Sequence, residues 1–274
     1  MSDGSTAVEA PQGYEARVFR APVEPHFAAS LLGLLGHKGE PWLTDIRARL
    51  AGADLDVFAV AFRAGVPVAN VWLGSSQACP ESAVLGHVFT AREHRRRGLA
   101  GALLEAALKE SDAWGGRWIR LTTGNQAAAR LYSRIGFRIV LDAGEGQVPR
   151  SRWVMVRGDE GSAVGEAYHR ASDQWAVEPY DRSRYAGTCL LLCVVPGTAK
   201  LPLLNIEQGL HAELRMLEAY EAQEPGECRC SVLVDGANGR VHGLACRKGD
   251  STELYAPRVA EAARQMLAAS AEGA

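Results

Sequence analysis

Three things are missing from this sequence. No apolar run approaches the roughly 18 residues that span a bilayer. The longest candidate, Cys189 to Val195, suits a buried strand. No basic stretch leads into an apolar one at the start. Met1 to Gln12 is polar and rich in small residues, so no secretory leader is expected and the cytoplasm is the expected compartment. Excess charge is absent too. A net charge of -2 argues against a polycation that seeks nucleic acid. Neither a membrane nor a nucleic acid is an expected partner.

Cysteine is sparse and unpatterned. Cys79, Cys189, Cys193, Cys228, Cys230 and Cys246 show no repeated pair spacing and are expected as free thiols. Cys228-Arg-Cys230 has no second pair at zinc spacing, and His242 with Cys246 does not complete a site, so no metal is expected.

What is present is ordinary globular material. The chain has 274 residues, 47% hydrophobic and 23% charged, enough for one large domain or two ordinary ones. Residues 1–13 read as a loose tail. Tyr14 to Arg20 is a first strand. Glu24 to Gly36 and Pro41 to Leu50 carry helical apolar spacing. Asp56 to Phe62 and Val66 to Leu73 read as a hairpin about Arg63-Ala64-Gly65, and Ser82 to Thr90 as another strand. Gly98 to Asp112 puts Leu99, Leu103, Ala106 and Ala107 on one helical face. Trp118 to Thr122 is a strand, and Gln126 to Ile135 a helix stopped by Gly136. Phe137 to Leu141 and Arg152 to Arg157 close the set. This alternation implies a mixed α/β sheet with helices on its faces.

Residues 158–167 resemble a linker. Beyond it, 168–274 reads as a smaller α+β accessory domain. Its expected parts are a strand at Leu190–Val195, a long helix at Leu204–Ala222, strands at Ser231–Val234 and Val241–Ala245, and a helix at Ala256–Ala269. The strand–turn–strand–helix order resembles dimerising regulatory modules, so a homodimer is among the expectations. No internal repeat links the two halves.

The segment with the most specific chemistry is His94-Arg95-Arg96-Arg97-Gly98-Leu99-Ala100-Gly101. It follows a strand and opens a helix. A helix N-terminus offers unpaired N–H groups and the positive end of the macrodipole. Gly98 lets the backbone approach a phosphate, Ala100 and Gly101 keep the approach clear, and the arginines add forked donors. Pyrophosphate capture is the chemistry suggested. A basic solvated loop is the plainer alternative. A nucleic-acid patch ranks last, since no aromatics interleave the arginines.

A second motif makes the pattern specific. Asn125, Ala128, Leu131, Tyr132, Gly136 and Phe137 form Asn-x-x-Ala-x-x-Leu-Tyr-x-x-x-Gly-Phe. With Arg-x-x-Gly-x-Ala before it, this resembles the GNAT superfamily of acyltransferases over 14–157. The resemblance implies an acetyl-CoA-dependent N-acetyltransferase. By it, the backbone of Val88, Phe89 and Thr90 pairs with the pantetheine arm. Arg95, Arg96, Arg97, Gly98, Leu99, Ala100 and Gly101 hold the pyrophosphate. Asn125 helps to position the thioester. Tyr132 protonates the departing thiolate, a role a phenol can fill as charge develops. The plainer readings are an N-cap for Asn125 and sheet packing for Tyr132.

The family often carries a glutamate on the strand before the turn; here Ala83 to Phe89 holds no acid. His87 is the titratable substitute for a base, although simple alternation aims it away from the thioester unless a bulge changes its face. Glu81 and Glu93 are weaker candidates. In the family the first two helices wall the acceptor site, which singles out His26, His37, Trp42 and Asp45, with Trp72 on the third strand. His169, Trp175, Tyr180 and Tyr185 open the C-terminal region and either close over an acceptor or dock the domain. A small-molecule primary amine is the favoured acceptor. A protein N-terminus or lysine is the alternative within the class, and a non-catalytic acetyl-CoA-binding protein the alternative outside it.

Overall fold

Runs rich in Val, Phe and Ala form strands because branched and aromatic side chains fit a pleated, half-buried surface. In the computed structural model all residues are described except 1–4, 145–151, 159–167, 169, 196–197, 208–210, 224–225 and 273–274. The chain divides into two compact units, Met1–Gly116 and Arg117–Ala274.

In the first unit β1 (Thr6–Val8), β2 (Glu15–Arg20), β3 (Asp56–Arg63), β4 (Val66–Gly74) and β5 (Ser82–Thr90) pair antiparallel in that order. Helix α1 (Pro25–Leu35) rests on β4 and packs against α2 (Trp42–Ala51). Helix α3 (Leu99–Ala113) lies across β3 and β4. Its stripe of Leu99, Leu103, Leu104, Ala107 and Leu108 is buried. Each leucine removed from water contributes about 1.5–3 kcal/mol, which holds the helix, and so its first turn, in place.

In the second unit β6 (Trp118–Thr123), β8 (Trp153–Arg157) and β7 (Arg138–Asp142) form antiparallel neighbours, with α4 (Gln126–Arg134) between β6 and β7 in sequence. Then follow β9 (Trp175–Pro179), α5 (Tyr185–Val194), the short hairpin β10 (Lys200–Leu201) and β11 (Ile206–Glu207), and α6 (Ala212–Glu221). The chain ends with β12 (Arg229–Asp235), β13 (Val241–Lys248), β14 (Ser251–Tyr255) and α7 (Glu261–Glu272). A four-stranded antiparallel sheet runs β14-β13-β12-β9. One hydrophobic cluster joins Trp118, Val154 and Val156 to Tyr168, Leu190 and Cys193. The core of this unit therefore includes residues from both sides of 158–167. All of that expected linker but Gly158 lies outside the described residues.

Four local expectations are corrected. Leu190–Val195 is not a strand; α5 occupies Tyr185–Val194. An apolar run buried all round has no periodicity to separate strand from helix, and here Ala and Leu propensity favours the helix. The helix expected over Leu204–Ala222 is α6 alone, with left-handed backbone at Asn205 (φ 51°) and His211 (φ 55°) ahead of it. The closing helix begins at Glu261 rather than Ala256, because a turn at Pro257-Arg258 follows β14. The tail over residues 1–13 contains β1, which gains order by pairing Thr6–Val8 with Ala16–Val18. Among the described residues no helix is long and apolar enough to cross a membrane.

Candidate functional site

The turn into α3 is built by backbone conformation. Arg96 (φ 59°) and Gly98 (φ 80°) both lie in the left-handed region. Gly98 is the N-cap of α3, and no side chain caps the helix. A residue with a Cβ pays a steric penalty there, and glycine does not. The uncapped first-turn N–H groups and the helix dipole face the arginine loop, a donor set matched to a pyrophosphate. Arg95 Nε donates to the Thr90 carbonyl at 2.9 Å, which ties the loop to the end of β5. Arg96 and Arg97 are exposed. A cleft of about 480 Å³ adjoins the turn, lined by Val8, Pro11, Gly98, Gly101, Glu105 and Lys109 among others.

The end of β5 carries the candidate base. Asn70 pairs with Phe89 and Trp72 with Gly86, so the register slips between them and His87 falls in a bulge. His87 has φ 49°, and it is buried between Trp42 at 5.5 Å and Trp72 at 5.1 Å between ring centroids. The bulge thus sets the direction of His87, as bulges do beside many active sites. Burial, then Lys38, Arg49 and His37, push its pKa well below 6.5, so the ring is neutral at physiological pH. Its Nε2 is buried with no hydrogen-bond partner among the described residues. A neutral imidazole with a bare ring nitrogen can accept a hydrogen bond from an attacking amine, but it is a weak base for full proton transfer. Phe89 carries His37 on its ring at 4.2 Å.

Beneath this cage lies a buried ionic network. Arg49 Nε donates to Asp45 at 2.7 Å and Arg49 Nη1 to Asp56 at 3.2 Å. Trp72 Nε1 donates to Asp56 at 2.8 Å, and the Arg49 guanidinium sits 4.6 Å from a Trp72 ring centroid. Burial raises the Asp56 pKa, against the pull of Arg49. Gly74 is required here by close approach, since a Cβ would come within 2.2 Å of the Trp72 ring. The network fixes the Trp72 indole, and Trp72 in turn flanks His87. Asp45 is therefore committed to Arg49. His26 stacks on Phe27 at 4.0 Å.

In the second unit Asn125 is the N-cap of α4. Its Oδ1 accepts from Ala127 N at 2.9 Å and Ala128 N at 3.2 Å. Tyr132 lies on that helix, 6% exposed, with its ring 6.0 Å from Phe137. Burial pushes its pKa up to about 12, which keeps the phenol protonated and able to donate. Tyr180 and Tyr185 are buried, with hydroxyls that donate to the carbonyls of Met216 and Glu213. These two are packing residues. Trp175 meets His242 edge to face at 5.3 Å. His169 lies outside the described residues. Glu93 is exposed beside His94.

Sequence reasoning missed Asn70, whose Nδ2 donates to the His87 carbonyl at 3.1 Å across the bulge. The signal was available: an asparagine in the middle of the apolar run Val66–Gly74. It also missed Arg49 and Asp56.

Residues 28–137 match the Acetyltransferase (GNAT) family. Among solved structures, a GNAT-family acetyltransferase from Streptococcus pneumoniae is 22% identical, over 53% of this chain and 100% of that one, with a TM-score of 0.43. Escherichia coli ElaA is 18% identical, over 53% and 99%, with a TM-score of 0.44. The ribosomal-protein-S18-alanine N-acetyltransferase of Escherichia coli is 17% identical, over 54% and 97%, with a TM-score of 0.41. No curated protein matches the chain. The family match takes in both motifs, the turn at 95–101 and the Asn125–Phe137 segment, and the N-terminal half of this chain is a GNAT-family acetyltransferase domain of mixed α/β fold, followed by a further α+β region.

Proposed function

We propose that this domain transfers the acetyl group of acetyl-CoA to a primary amine on a small molecule, by direct attack through a tetrahedral intermediate. The observation that carries the reading is the turn at Arg95–Gly101. There, left-handed Arg96 and Gly98 present an uncapped helix N-terminus beside three arginines. Such a donor set suits a diphosphate. The coenzyme supplies the thioester; the chain's residues bind, orient and move protons. Val88–Thr90 offers strand backbone to the pantetheine. Asn125 spends its Oδ1 on the cap, which leaves its Nδ2 to help position the thioester. Tyr132 donates to the departing sulfur.

The acceptor nitrogen must be neutral to attack. His87, bare at Nε2 and flanked by two indoles, accepts a hydrogen bond from it and aims its lone pair. Water then carries the proton away. The weakness of His87 as a base is the one observation that favours the alternative, an acetyl-CoA-binding protein without turnover.

Acetyl-CoA turnover against a library of small amines and peptides, read as free thiol, tests the reading. Thiol release with a small amine is the expected result. Release with peptides alone would move the assignment to protein acetylation. Binding without release from any acceptor would leave the non-catalytic reading.

A further inference from the structure

The two units share a plan that their residues do not announce. In the first, β2-α1-α2-β3-β4-β5-α3 occupies Glu15 to Ala113. In the second, β9-α5-α6-β12-β13-β14-α7 occupies Trp175 to Glu272, with the hairpin β10–β11 inserted between the helices. The order of strands within each sheet also agrees. β2-β3-β4-β5 are antiparallel neighbours, and so are β9-β12-β13-β14. The packing agrees helix by helix. α1 rests on β4 and α5 on β13; α1 packs α2 and α5 packs α6; α3 crosses β3 and β4 while α7 crosses β12 and β13. Seven elements with one order, one sheet sequence and one set of helix contacts are more than a shared fold class provides.

The junction that matters for chemistry differs. Between β5 and α3 the first copy places Ala91 to Gly98, with its arginines and its left-handed glycine. Between β14 and α7 the second copy has only Ala256-Pro257-Arg258-Val259-Ala260, with no glycine. Ala256 is buried and its carbonyl accepts from Arg264 at 2.6 Å, so this turn is packed down onto its own helix. Glu261 puts an acid in the first turn of α7, where it opposes an incoming phosphate. The flank of β14 is occupied as well. Leu203 N–H donates to Glu253 at 2.8 Å, and the hydroxyls of Thr198 and Tyr255 lie 2.8 Å apart. That is the strand equivalent to the one whose end, Val88–Thr90, offers backbone to the pantetheine.

We infer that the C-terminal region is a second copy of the first half of the acetyltransferase fold that has lost its coenzyme turn, so that each chain binds one acetyl-CoA, at Arg95–Gly101 alone. The inference rests on the function proposed above. It adds that the region after the domain is a degenerate transferase half, closed to coenzyme, and not an unrelated module with a site of its own.

Calorimetric titration of the full chain with acetyl-CoA tests it. One site per chain is expected. Gly98→Val should weaken binding roughly 5- to 150-fold, and a chain with Arg95, Arg96 and Arg97 all changed to Ala should weaken it at least as much, with circular dichroism confirming that each is folded. On adding acetyl-CoA, hydrogen–deuterium exchange should slow over 88–101 and not over 251–262. Two sites per chain, binding kept in both turn variants, or protection at 251–262 would overturn the inference and leave an acetyl-CoA-dependent function standing. A wild-type chain that binds none would overturn both.

Discussion

Arg120 on β6 and Glu213 on α6 form an ion pair, Nη1 to Oε1 at 2.5 Å, with the arginine side chain 0% exposed and the carboxylate 9%. Burial is the largest single influence and lowers the Arg120 pKa, but Glu213 together with Cys193 and Cys189 turns the net shift upward. Thr122 Oγ1 donates to the same carboxylate at 3.3 Å. An arginine within the family match is thus paired with a residue from the region that follows it.

Removing the carboxylate leaves a buried cation. Glu213→Ala should destabilise the chain by about 3–5 kcal/mol in urea unfolding, whereas a double change of Arg120→Met with Glu213→Leu should recover most of the loss. A Glu213→Ala chain as stable as the parent would mean that the pair is not held in solution.

The same relationship governs truncation. A chain ended at Gly158 loses Tyr168, Leu190 and Cys193 from the cluster around Trp118, and Glu213 from Arg120. It should unfold at lower urea than the full chain or fail to fold. An equally stable, acetyl-CoA-binding fragment would make 158–167 a true boundary between independent domains.

Gly98→Val forces a β-branched residue into φ 80° and blocks close approach to the turn. Acetyl-CoA affinity should fall by about 1–3 kcal/mol, the scale of lost charge-assisted hydrogen bonds. Calorimetry checks this, and unchanged affinity in a folded variant would remove the turn from the coenzyme site.

His87 makes stability depend on pH with a definite sign. Its folded pKa lies below the unfolded value of 6.5, so the unfolded chain binds the extra proton. The neutral ring's contribution is whole above about pH 6.5 and is lost as pH falls toward the folded pKa. The slope for one such group is up to about 1.4 kcal/mol per pH unit. His87→Gln should flatten the profile between about pH 6 and pH 5 by up to that amount. His242, pushed down to about 4, acts in the same direction and remains in both chains. Parallel profiles for parent and variant would show that His87 is not buried neutral.

The N-terminal half was legible because its elements are punctuated. Gly98 and Gly136 mark a helix start and a helix end, and Val66–Leu73 is rich enough in branched and aromatic residues to read as a strand. The bulge at His87 was not legible in detail, since a one-residue slip in register leaves no mark on composition. It needed Asn70 opposite, and that residue's side-chain bond is visible only in three dimensions. α5 was misread because Leu190, Leu191 and Leu192 are all buried, and burial on every side erases periodicity. The repeat across the two units escaped because sheet order and helix packing survive where residue identity has gone.

We propose acetyl transfer with Tyr132 as donor to the departing sulfur. Tyr132→Phe keeps the ring and removes the hydroxyl, so packing and acetyl-CoA affinity should hold. Single-turnover acetyl transfer to the best amine found should slow by roughly 10²–10⁴-fold, the usual worth of a general acid. The loss should fall on kcat and not on the acceptor KM, because the bond strengthens only as the thiolate forms. A Phe variant that transfers acetyl at the parent's single-turnover rate would contradict the account and make Tyr132 a packing residue on the sheet.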